Sequence, residues 1–156
     1  MSRRNIAKKR KIYPDPIYNS KLINMLTTQI LTNGKKRLAQ KIIYQSLDII
    51  KYKTKKEPLE ILEKAVRNII PLVEVKAKRI GGSTYQVPIE VKAYRGTSLA
   101  LKWITQFAIK RTGNNLSIKL ATEITDGANK SGHSIRKKEE IHKIAEANKA
   151  FTHYKY

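Results

Sequence analysis

Between Pro71 and Lys92 the sequence PLVEVKAKRIGGSTYQVPIEVK alternates with a period of two on either side of a Gly-Gly pair. Val73, Val75 and Ala77 are set against Glu74, Lys76 and Lys78. Beyond Gly81-Gly82, Tyr85, Val87, Ile89 and Val91 are set against Gln86, Pro88, Glu90 and Lys92. Successive side chains of a strand point to opposite faces, so this spacing predicts a β-hairpin at about 72–92. At ~3.3 Å per residue its arms reach ~20–25 Å. No other segment reads as a strand. A lone two-stranded ribbon is marginal in water, so something outside the sheet must order it: helices at its base, and a polyanion at its basic, glycine-tipped end. Pro88 removes one ladder donor and predicts a bulge or an edge position that could bend the ribbon.

The rest of the chain carries helical periodicity. Leu22, Met25, Leu26 and Ile30 follow Ser20, a candidate N-cap, in a helix closed by Asn33-Gly34. A second helix, Lys35 to Lys51, holds Ala39, Ile42, Ile43, Leu47 and Ile50 on one stripe, and a lysine-rich connector runs from Lys51 to Lys56. Pro58 opens a third, in the position proline favours, and Pro71 stops it. A fourth starts near Thr97 or Ser98 and presents Ala100, Trp103, Ile104, Phe107 and Ala108 before Gly113. A fifth follows Asn114-Asn115 with Leu116, Leu120, Ala121 and Ile124; Gly127 interrupts its last turns and Gly132 ends it. The sixth begins after Ser134 and holds Ile141, Ile144 and Ala145. The expected fold is all-α: a six-helix domain over residues 16–156, with one protruding β-hairpin between the third and fourth helices and a basic arm over residues 1–15.

Charge says what such a shape is for. Thirty-three Lys and Arg face twelve Asp and Glu, a formal net charge of +21 spread along 156 residues. Self-repulsion of that size destabilises a compact state unless counter-charge lies close by, and a polyanion touched over much of the surface is the simplest partner. The arm carries Arg3, Arg4, Lys8, Lys9, Arg10 and Lys11 before its first acid, Asp15; fully extended it reaches ~45–50 Å. Helix starts ordinarily attract acids, because the macrodipole is positive there. Here Lys35, Lys36 and Arg37 open the second helix and Arg136, Lys137 and Lys138 open the sixth. Both become favourable if a phosphate docks, which makes them RNA-backbone candidates. Lys76, Lys78 and Arg79 arm the hairpin, where Gly81 and Gly82 let a nucleic-acid backbone come close. Tyr85 either stacks on a base or packs across the ribbon onto Ala77 or Val75. Lys92, Arg95, Lys102, Lys110 and Arg111 extend the basic surface around the hairpin's foot.

Other function classes find little support. Cysteine is absent, and His133, His142 and His153 match no metal-ligand spacing, so no metal or cofactor is expected. Glu139-Glu140 with His142 do not share one helix face, Gly81-Gly82 links two strands rather than a strand and a helix, and no enzyme is expected. No apolar run reaches a membrane span, and the amino terminus lacks an apolar signal core. His153, Tyr154, Lys155 and Tyr156 read as a frayed end.

Several long stretches, in order, resemble the small-subunit ribosomal protein seven family of bacterial and plastid type: DPIYNSKLIN (Asp15 to Asn24), NGKK (Asn33 to Lys36), EVKAKRIGGSTYQVPIEV (Glu74 to Val91), LALKWI (Leu99 to Ile104) and HKIAEANKAFTHYKY (His142 to Tyr156). The resemblance implies a helical domain with a protruding hairpin that binds small-subunit ribosomal RNA, nucleates assembly of the head and lies near the exit site. There the hairpin tip (Arg79, Gly81, Gly82 and Tyr85) would approach departing tRNA. It implies ribosomal proteins nine, eleven, thirteen and nineteen as neighbours, and RNA contacts from the arm, Lys35 to Arg37, Lys76, Lys78, Arg79 and Arg136 to Lys138. KAYRGTSLA has fewer arginines than many relatives, which bears on Arg95, and Gly127 stands where a better helix former is usual. Lys- and Ile-rich usage without a transit-like leader implies a ribosome in the plastid stroma, with bacterial cytoplasm as the alternative. An architectural protein of duplex DNA is the competing reading of the charge, and an RNA-modifying enzyme a third.

Overall fold

A computed structural model describes residues 11–155. Six helices are present: α1 (Lys21–Ile30), α2 (Lys36–Thr54), α3 (Pro58–Ile69), α4 (Ala93–Lys110), α5 (Leu116–Ala128) and α6 (His133–Ala147). Strands β1 (Val73–Ile80) and β2 (Ser83–Glu90) stand between α3 and α4, and a 3-10 turn (Lys149–Lys155) follows α6. The mainly helical architecture with one interposed hairpin is therefore as the periodicity predicts. α5 forms the axis, with α2, α3 and α4 packed on it. Ile23 and Leu26 of α1, Ile43, Leu47 and Ile50 of α2, Leu62 and Ile69 of α3, Leu101 and Ile104 of α4, and Leu120 and Ile124 of α5 are fully buried in one continuous cluster, with Trp103 at its edge.

Helices depart from expectation in several places: α5 ends at Ala128, ahead of Gly132, α6 starts at His133 with Ser134 inside it, and three further differences have a clear cause. α2 continues past Lys51 to Thr54 and stops where Lys55 turns left-handed at φ 54° and donates its N–H to the Lys51 carbonyl. Lys51 and Lys53, read as part of a connector, stand in its last turn, where cations complement the macrodipole. α4 begins at Ala93 rather than Thr97; Thr97 lies inside, its hydroxyl bonded to the Ala93 carbonyl. Gly127 does not interrupt α5. It sits within the helix because α3 crosses there: a Cβ at this position would fall 2.8 Å from Ile69 Cδ1.

In the hairpin, Gly81 (φ 55°) and Gly82 (φ 91°) form a two-residue turn with both φ values positive, the geometry that matches strand twist. Ile80 pairs with Ser83, and the register continues unbroken to Val73 and Glu90. Pro88 sits opposite Val75 within this ladder, so the expected bulge is absent; every strand of a two-stranded ribbon is an edge, which is where proline is tolerated. The same register pairs Tyr85 with Lys78 and Val87 with Lys76. The apolar rows of the two arms therefore lie on opposite faces, and Tyr85 does not cross onto Ala77 or Val75. Its ring instead meets Phe151 of the terminal 3-10 turn, centroids 5.1 Å apart. α6 packs on both strands and the terminal turn on β2, leaving Val87 only 1% exposed. The 3-10 turn thus braces the ribbon through Phe151, just ahead of the residues expected to fray, of which Tyr156 lies outside the described residues.

Candidate nucleic-acid interface

Asn33 (φ 51°) and Gly34 (φ 71°) reverse the chain after α1 and deliver Lys35 to the N-cap of α2. No side chain caps this helix and no acid occupies its first turn. Lys35, Lys36 and Arg37 are all exposed, and none has an ion-pair partner among the described residues. Three cations and the positive end of a 19-residue helix thus face solvent together.

The start of α6 is built the opposite way. Glu123 of α5 is fully buried, and its Oε1 accepts the Ser134 N–H at 3.0 Å and the Ser134 hydroxyl at 2.5 Å. Its Oε2 accepts from Arg111 Nε at 2.6 Å, and the same guanidinium reaches Asp126. The anion expected at this helix terminus is supplied from within the protein. Lys137 pairs with Glu140 at 2.9 Å, and Lys138 Nζ donates at 2.7 Å to the Asn68 carbonyl near the end of α3. Of the trio, Arg136 alone is exposed without such a partner. Arg111 and Lys138 are half-buried and each ties a helix to its neighbour, Arg111 through Glu123 and Lys138 through the Asn68 carbonyl.

Arg95, at the start of α4, grips both carboxylate oxygens of Glu74 on β1 at 2.8 Å. The Glu74 hydrogen bond and charge raise its pKa above the ordinary value. With its side chain 57% exposed, the pair stabilises by ~0–1 kcal/mol, and the guanidinium still borders solvent. Lys110 lies over the Phe107 ring at 5.9 Å, with His133 stacked on the same ring at 6.1 Å. Lys110 and His133 line a cleft of about 420 Å³ to which Arg111, Asn114, Asn115 and Lys119 also contribute. Sequence reasoning passed over Lys119 and His133; the Asn114-Asn115 turn, which brings α5 back beside α4, was the available signal. On the ribbon Lys76 and Arg79 are exposed, Lys78 is half-buried and partnered, and Gly81 and Gly82 lie open at the tip.

Arg3, Arg4, Lys8, Lys9 and Arg10 lie outside the described residues; Lys11 is exposed. The place where the arm meets the body is fixed by Asp15, 2% exposed. Its carboxylate accepts the N–H groups of Ile17 and Tyr18 at 3.2 and 3.3 Å and the Tyr44 hydroxyl at 2.9 Å. Burial and that bond push the Tyr44 phenol up to about 12. Among the described residues no group of histidines and carboxylates is placed to hold a metal, and no helix is long and apolar enough to cross a membrane.

The profile of the family described as ribosomal protein S7p/S5e matches residues 2–149. The chain is 56% identical to the small ribosomal subunit protein uS7c of Cyanophora paradoxa. Identity is 55% to uS7 of Thermosynechococcus vestitus and 53% to uS7 of Synechococcus elongatus. Each alignment spans 156 residues, all of both chains.

Proposed function

The chain belongs to the ribosomal protein S7p/S5e family and is a structural constituent of the small ribosomal subunit, not an enzyme; from that premise we propose that it binds the subunit's RNA directly and organises the head. Plastid-type and cyanobacterial relatives fit a ribosome of plastid or bacterial cytoplasm. Lys35, Lys36 and Arg37 supply phosphate contacts, joined by the basic arm, Lys76, Arg79, Arg136 and, at the foot of the ribbon, Arg95 and Lys110. The tip around Gly81 and Gly82 reaches towards exit-site tRNA, and ribosomal proteins nine, eleven, thirteen and nineteen are the protein neighbours. The carrying observation is the contrast between two helix starts: α6 is neutralised by a buried carboxylate, whereas α2 presents three solvent-facing cations with no acid near. Phosphate contacts give affinity and position; RNA shape and a few bases give specificity.

The test is competition at fixed salt between a structured fragment of small-subunit RNA and duplex DNA of equal length. The RNA is expected to bind more tightly by orders of magnitude. Engagement of six to ten phosphates should weaken binding ~10³–10⁵-fold between ~50 and ~200 mM salt. Equal affinity for DNA, or a flat salt response, would overturn the proposal.

A further inference from the structure

The ribbon joins the helices at Leu72. Its carbonyl accepts the Val91 N–H at 3.0 Å, closing the foot of the hairpin, and its own N–H donates at 3.2 Å to Nε2 of His142 on α6. On the other side Arg95 of α4 holds Glu74, and Gly96 lets that helix press close: a Cβ there would meet Ile70 Cγ2 at 2.9 Å. Two helices thus each send a polar side-chain link to the root, beside the packing of α6 on the strands. We propose that His142 is a positioning residue: by accepting the Leu72 N–H on a neutral imidazole, it fixes the angle at which the ribbon leaves the helical body.

The chemistry demands a particular ring state. A neutral imidazole has one acceptor nitrogen, whereas the cation donates from both and accepts from neither. His142 is half-buried, and burial, then the positive charge of Lys138 one turn earlier, lower its pKa from the ordinary value of 6.5. Lys138 is kept there by its own bond to the Asn68 carbonyl. The other charged groups lining the ring's cleft are Glu90 of β2, Glu146 of α6 and Lys149 of the terminal turn, while Glu74 of β1 is turned to Arg95. The two carboxylates favour a proton and the two ammonium groups oppose it; burial tips the balance to the neutral form. A depressed folded pKa means the link is whole above pH ~6.5 and weakens as pH falls through the lower folded value. The root is closed at neutral pH and released by acid.

The test is amide exchange of Leu72 in the full chain, expressed as protection over the intrinsic rate. Residual dipolar couplings give the ribbon's orientation. At pH 7.5, H142A is expected to lose Leu72 protection about 3–10-fold, the size of one ordinary hydrogen bond, and to broaden the orientation of β1 and β2 relative to α4. The variant H142Q, whose amide oxygen stands in for Nε2, should keep the protection and lose its pH dependence; wild type should lose protection below pH ~6.5. Equal protection in wild type and H142A, an unchanged ribbon orientation in H142A, or a wild-type pH profile in H142Q would each overturn the assignment. Melting of H142Q beside wild type checks that the fold is intact.

Discussion

Replacing Arg111 by methionine separates the two roles that a cation in this chain can have. The substitution keeps the aliphatic stem and removes the guanidinium, leaving Glu123 fully buried with only the Ser134 N–H and hydroxyl as partners. Stripping one member from a buried ion pair costs about 3–5 kcal/mol, a large part of the ~5–15 kcal/mol that holds a domain together. At ~2–4 °C per kcal/mol for a chain of this length, the midpoint of thermal unfolding should fall by roughly 6–20 °C. The companion E123Q keeps an acceptor for Ser134 without the charge and should lose less. The double variant should melt above R111M, because no uncompensated carboxylate remains inside, and the cycle gives the coupling directly. Far-UV circular dichroism reads the melts; RNA affinity is measured well below the lowest midpoint, where all variants are folded. There R111M should bind within about threefold of wild type, under 1 kcal/mol. A midpoint within about 2 °C of wild type, combined with a tenfold or greater loss of RNA affinity, would make Arg111 a contact and the ion-pair account wrong.

Four further outcomes are expected. Alanine at Lys35, Lys36 and Arg37 together should leave the melt unchanged and reduce the salt slope of RNA binding by about 2, at ~0.7 per lost single-strand phosphate contact; an unchanged slope would exclude these residues from the interface. Removing the tip from Arg79 to Thr84 should spare binding to the head RNA fragment and diminish crosslinking to exit-site tRNA, whereas loss of fragment binding would sink that division of labour. G127A gains up to ~1 kcal/mol of helix propensity but forces a Cβ to 2.8 Å from Ile69 Cδ1, an overpacking cost of ~1–3 kcal/mol; a melt above wild type would contradict the crossing geometry. Y44F removes a hydrogen bond to a carboxylate, costing about 1.5–3 kcal/mol. Because the fold raises the Tyr44 pKa to about 12 from an unfolded ~10, that contribution is whole below pH ~10 and fades as pH climbs towards 12, so urea midpoints of wild type and Y44F should converge there.

Most of the architecture was legible because it rests on local signals. Pro58, Pro71, the Gly81-Gly82 turn and the 3.6-residue apolar stripes act within a few residues of where they stand. One thing was not read correctly, and another was out of reach. The hairpin's faces were assigned from alternation alone, although a two-residue turn pairs odd-numbered positions with even ones and so sets each apolar row against the other arm's polar row. The basic clusters were singled out by their place at helix starts, and the intramolecular partners that differ between them come from elsewhere in the chain. Glu123 lies 12 residues beyond Arg111, and the Asn68 carbonyl lies 70 residues before Lys138. Helix packing brings these together. Gly127 misled for the same reason: it is small because α3 passes close, a fact that belongs to the tertiary contact and not to the helix in which the glycine sits.

The register of the ribbon bears on what happens to a copy that has not yet found its subunit. A flat strand pair with one wholly greasy side invites a second molecule to stack on it or extend it into a fibre. Here lysines interleave with Tyr85 and Val87 on one side, while Pro88, Gln86 and Glu90 dilute the valines on the other. Neither side of the ribbon is therefore wholly apolar, and the Tyr85 and Val87 row is further covered by the chain's own terminal turn.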